Sequence, residues 1–84
     1  MVSMNQKISQ FIYNEWVLKS PSQRFFADSH SIDEGVVRKI KNAAKNQDFS
    51  EYDMPISTLE KICSSRDLKL SDFFKLVENY AISK

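Results

Sequence analysis

A chain of 84 residues, 42% apolar and 27% charged with a formal net charge of +1, makes one small folded domain spanning residues 1–84 rather than a disordered polymer. One glycine and two prolines are too few for the turns of a sandwich or barrel, so helices joined by short turns are expected. The single cysteine, Cys63, excludes an internal disulfide. No apolar stretch reaches membrane-spanning length, so a reducing cytoplasm is the expected setting.

Residues 4–18 carry Ile8, Phe11, Ile12 and Glu15/Trp16 at the i, i+3, i+4, i+7 spacing of a first helix. The stretch "SPSQ" then offers a start signal that reads two ways. Ser20 as cap would put Pro21 at the first helical position and Gln23 at the third, a capping box, or Ser22 is itself the cap. The second helix runs to about Ser29 and buries Phe26 and Ala27. Asp33 caps a third helix of about ten residues. "NQDFSEYDMP" has no sustained period and reads as a surface loop. A fourth helix carries Leu59, Ile62 and Cys63 on one side, with Ser57 and Glu60 at capping-box spacing. A fifth is capped by Ser71 and carries Phe73, Phe74 and Val77, with fraying expected at the C-terminus.

The third helix has two unlike faces. On a wheel, Val36, Val37, Ile40 and Ala44 fall together, and Gly35, Arg38, Lys39 and Asn42 fall opposite. From Arg38 to Lys45 there are four basic residues and no acidic one, which concentrates positive charge on this element. Glycine in a helix interior costs about 0.5–1 kcal/mol against alanine. Gly35 is therefore either a tolerated surface residue or a point where a bulky partner comes close to the backbone. Arginine and lysine pair with guanine edges or phosphates, and asparagine with adenine edges or phosphates.

Taken together, "SQRFFADSHSIDEGVVRKIKN" (22–42) resembles the helix-turn-helix of the Cro/repressor, or xenobiotic-response-element, family. The likeness lies in Ser22-Gln23, Phe26-Ala27, Ile32, Asp33 and Ile40-Lys41-Asn42, and continues downstream in "PISTLEKICSSRDLKLSDFF" (55–74). It covers about two-thirds of the chain in order and spacing. The resemblance implies an all-α, lambda-repressor-like five-helix bundle that binds double-stranded DNA with its third helix in the major groove. It implies base contacts from Glu34, Gly35, Arg38 and Lys39, and phosphate contacts from Gln23, Arg24, Lys41 and Asn42. Ser31 stands where the family usually has glycine, so a positive φ is expected there. Asp33 and Glu34 put acids at the groove entrance, where they favour the helix N-terminus electrostatically, and Glu34 has the spacing to pair with Arg38. Residues 43–54 are longer than the usual connection.

The remaining chemistry-bearing residues read as structural. His30, the only histidine, lacks companions for a metal site and is expected to pack in the turn or lie at the surface. Cys63 is expected to be a small buried hydrophobe. Tyr13 and Trp16 read as packing or surface residues. One of Phe73 and Phe74 is expected in the core; the other, with Val77 and Tyr80, either offers a seam for a homodimer or belongs to a helix that serves the core alone.

The expectation is a transcriptional regulator, bacterial or phage-encoded, cytoplasmic and nucleoid-associated when bound. It would need no cofactor, metal, membrane or small-molecule substrate, and no enzyme activity is expected. The alternative is a protein-interaction module, such as the antitoxin of a toxin–antitoxin pair.

Overall fold

The computed structural model describes residues 4–45 and 52–80; the chain is helical, and no strand occurs among the described residues. Helix α1 (Met4–Ile12) continues into a wide π turn over Tyr13–Val17. Then come α2 (Gln23–Ser29), α3 (Glu34–Ala44), α4 (Ile56–Ser65) and α5 (Leu70–Asn79). The expected loop at 46–55 falls partly outside the described residues, at 46–51, and the C-terminal residues 81–84 lie wholly outside them.

The first element departs from a regular helix for a reason visible in its burial. Ile8 and Ile12 lie four residues apart on the core face, and the next aliphatic core residue, Val17, lies five further on. An α-helix would swing Val17 away from that face. The wide turn, closed by the Leu18 amide on the Tyr13 carbonyl at 2.9 Å, brings it back and buries Tyr13 as well. Ser20 closes this end: its hydroxyl donates to the Trp16 carbonyl at 3.0 Å.

Ser20 is thus spent on the first helix, and Ser22 is the cap of α2. Its hydroxyl accepts from the Phe25 amide at 3.0 Å, so Gln23 is the first helical residue. The capping box built on Ser20, Pro21 and Gln23 does not form. Asp33 does precede α3, with its carbonyl accepting from Val36 and Val37, but its side chain makes no capping bond. Ser57 and Ser71 are not caps. Pro55, held at φ −61°, opens α4, and Lys69 opens α5, which places both serines inside their helices. The Ser57/Glu60 reading fails because the proline carbonyl already takes the first helical bonds, from Thr58 and Leu59.

Two helices end in the same way. Beyond α2, Ser31 adopts φ 58°, the Ile32 amide reaches the Ala27 carbonyl at 3.0 Å, and the Ser31 amide reaches Asp28 at 3.3 Å. Beyond α4, Asp67 adopts φ 54°, Leu68 reaches Cys63 at 2.9 Å, and Asp67 reaches Ser64 at 3.1 Å. Both are Schellman motifs with a non-glycine residue in the left-handed position. Ile32 and Leu68, the residues after each, fold back onto the core.

The core joins every element. Phe26, Val37, Ile40, Ile62, Phe73 and Val77 are completely buried, and Leu59 and Cys63 nearly so. Phe11 is a hub for aromatic contacts, edge-to-face with Trp16 at 5.2 Å, Phe73 at 5.7 Å and Tyr80 at 5.3 Å. α1 packs against α3 and α5, α2 against α3, and α4 against α5. Phe73 is the core residue of its pair and Phe74 is half-buried, as expected. Val77, however, is sealed inside and cannot form a dimer seam; Tyr80 packs on Phe11 and accepts from Asn14 at 3.0 Å. Ser9 is also fully buried, and its hydroxyl has no partner.

Candidate functional site

α3 is positioned by its inner face. Val37, Ile40 and Ala43 are buried, and Val36 and Ala44 are half-buried against the core, so Ala43 rather than Ala44 is the deeper of the two alanines. The opposite face carries Gly35, Arg38, Lys39 and Asn42, which recur at i, i+3, i+4 and i+7 and therefore share one side. Arg38, Lys39 and Asn42 are exposed, and Gly35 is half-buried.

Gly35 has ordinary helical backbone, and a Cβ built on it would meet nothing within 4 Å. Among the described residues neither backbone conformation nor packing requires glycine here. Among the described residues Arg38 has no hydrogen bond or ion pair, the Glu34–Arg38 pair expected from spacing is not formed, and the ion pair present is Lys19–Glu15 at 3.4 Å. Lys39 leans over the Tyr52 ring at 5.7 Å, and Lys45 over Tyr13 at 5.8 Å. Burial pushes the Tyr52 hydroxyl above its ordinary pKa.

Glu34, the first residue of α3, and Lys41 are half-buried on the same helix. Gln23, half-buried, and Arg24, exposed, stand at the start of α2, on a separate element that packs against α3. The structure thus brings Gly35, Arg38, Lys39 and Asn42 onto one surface. Gln23 and Arg24 stand on α2, which packs against α3, and no hydrogen bond among the described residues joins them to that surface.

The turn into α3 holds a feature the sequence did not announce. His30 is buried, stacked on the Phe26 ring with centroids 3.9 Å apart. Its Nδ1 lies 2.8 Å from the Phe26 carbonyl and 3.0 Å from the Ser29 hydroxyl. Its Nε2 lies 3.1 Å from Nη1 of Arg66, the last residue of α4's cap, whose guanidinium covers the Trp16 ring at 4.3 Å. Guanidinium nitrogens only donate, so Nε2 must accept and Nδ1 must carry the ring proton, donating it to Phe26. Burial is the main reason the His30 pKa falls below 6.5; the Phe26 carbonyl opposes it, and the Arg66 charge adds to the fall.

The two partners lie 36 residues apart, but a signal for the geometry exists. "ADSHSI" (27–32) and "CSSRDL" (63–68) share the order small residue, two polar residues, capping residue, left-handed residue, apolar residue. Cys63 is buried, and burial raises its thiol pKa, the opposite of what a nucleophile needs. Among the described residues no cluster of metal-ligating side chains occurs, and no helix is long and apolar enough to cross a membrane.

The chain matches no family model, no curated protein and no solved structure.

Proposed function

We propose that this chain is a sequence-specific double-stranded DNA-binding protein and a regulator of transcription. α2, the Ser31 turn and α3 form its helix-turn-helix, and the outer face of α3 enters the major groove. One observation carries the reading. The sole glycine sits among three exposed polar or cationic side chains, at a point where the fold itself leaves room for a side chain. A bare backbone that the protein does not need for its own sake is what a closely approaching duplex would need.

In this reading Arg38 and Lys39 read guanine edges, with Glu34 and the Gly35 backbone beside them. Gln23, Arg24, Lys41 and Asn42 hold phosphates. Two copies on half-sites about 34 Å apart would match one helical turn of DNA.

Selection from a randomised duplex library at low salt tests the reading, followed by affinity measurements on variants. Gly35→Ala should raise stability by up to about 1 kcal/mol while weakening binding to the selected duplex. Arg38→Ala should cost about 1–3 kcal/mol of binding and relax the preference at one base pair. A library with no enriched sequence would remove DNA as the partner and leave the protein-interaction reading. An alanine variant that is more stable and binds equally well would remove Gly35 from the contact surface.

A further inference from the structure

We propose that Arg66 is a positioning residue for α3, acting through His30, and that the pair separates when the imidazole takes up a second ring proton, so that the surface of α3 loses its fixed setting in acid. The proposal rests on the DNA-binding reading for its functional outcome, but its physical basis is independent of it.

The geometry makes the pair a junction between three parts of the chain. His30 is the capping residue of α2, and only Ser31, Ile32 and Asp33 separate it from the first turn of α3. Arg66 is the capping residue of α4. The two Schellman ends are therefore tied to each other through their own capping side chains, at 3.1 Å. Arg66 is held in turn over Trp16, which belongs to the π turn, so α1, the α2–α3 turn and α4 meet at one guanidinium. α3 receives its setting from core packing, and the turn that leads into it is held by this tie.

The tie depends on one lone pair. While Nε2 is unprotonated it accepts from Arg66; once protonated it turns an N–H toward a group that only donates and that is itself positive. Among the described residues no carboxylate acts on the ring to balance the added charge, and the favourable pull of the Phe26 carbonyl is outweighed by burial. Among the described residues the charged side chain acting on the ring is Arg66. α2 presents the Phe26 carbonyl, the Ser29 hydroxyl and the Phe26 ring, and the π turn presents Trp16 by way of Arg66. Burial already disfavours the imidazolium, so protonation requires the ring or the guanidinium to move.

The chain contains one histidine and one tryptophan, and each is at the junction, so both report it without ambiguity. The test follows the full chain from about pH 8 to pH 5 by three readouts: the His30 ring proton shifts, the backbone amide shifts of Glu34–Arg38, and affinity for a duplex selected from the library. The wild type should show all three moving with one midpoint, and the duplex affinity falling about five- to tenfold. His30→Gln, whose amide oxygen can still accept from Arg66 but cannot titrate, should keep the affinity of neutral pH and lose the acid dependence. Arg66→Met, which keeps the aliphatic stem, should raise the His30 midpoint and uncouple the α3 amides from it. It also guards against a glutamine variant that fails to fold.

Glutamine and wild-type proteins with identical acid profiles would overturn the proposal. So would α3 amides that stay still while His30 titrates. If no duplex binds at any pH, the DNA-binding reading fails, and the amide shifts alone decide the coupling: motion with the His30 midpoint in wild type and none in His30→Gln supports it.

Discussion

At Ser31 the chain enters the left-handed region, φ 58°, with a side chain that has no hydrogen-bond partner among the described residues. For an L-residue this conformation costs about 1–2 kcal/mol, and glycine escapes it. Ser31→Gly should therefore stabilise the fold by up to about 1 kcal/mol, the remainder being offset by the freer unfolded chain. A rise in the urea midpoint at unchanged slope would show this, and a fall would mean the serine side chain has a partner that outweighs the strain. Ser9 is the second residue-scale cost. Its hydroxyl is completely buried without a partner, so Ser9→Ala removes an unmet polar group and adds helix propensity. That variant is expected to gain about 1 kcal/mol in the same urea titration. Both positions show what sequence can carry. The φ at Ser31 was legible, because a polar residue stood at the turn where a glycine pattern was expected. The burial of Ser9 was not, because a serine on a helix wheel does not reveal which side a neighbouring helix will cover.

Among the elements, α2 is the most dependent on its end. Seven residues are too few to hold a helix by propagation alone, so the Ser22 hydroxyl on Phe25 and the Schellman bonds behind Ser29 matter more than in the longer helices. Ser22→Ala should cost about 1 kcal/mol, read as a lower thermal midpoint; Ser20→Ala, which touches only the end of the first helix, should not melt α2 selectively. The choice between those two serines was open in the sequence because both precede a plausible first turn. Chain direction decided it: the helix before them needed a donor for its Trp16 carbonyl, and Ser20 was nearer. The same competition explains the misplaced starts of α4 and α5. Serine is a good cap, but the carbonyls of Pro55 and Lys69 were already in position, and the sequence does not show which residue the preceding turn delivers. The five helices and their core faces were legible from periodicity, since Phe26, Val37, Ile40, Leu59, Ile62 and Phe73 all point inward as spacing predicted. The five-residue step from Ile12 to Val17 was not, because a periodic template assumes one pitch throughout. The exposed face of α3 was equally readable. The His30–Arg66 tie was not, since it joins residues that only the packed fold brings together.

For the molecule as a whole, pH acts through groups that are buried uncharged. The folded-state pKa of His30 lies below the unfolded 6.5, so the unfolded chain takes the proton first. Stability is then complete above about pH 6.5 and declines as pH falls through that value toward the folded pKa. Cys63 works from the other side: its folded pKa lies above 9.0, so ionisation of the unfolded thiol erodes stability as pH rises past that value. Thermal midpoints should form a plateau between these limits, and His30→Gln should flatten the descent near pH 6; an unchanged descent would assign it to carboxylates instead. The first helix has a different kind of consequence. A π turn is the local form of a single-residue insertion, and here it holds Ile12 and Val17 on the same side of the rod. Excising one residue between them would let ordinary helix bridge the gap with both anchors still seated. The 13–17 segment is therefore where this protein's length can change by one without shifting the register of anything on either side.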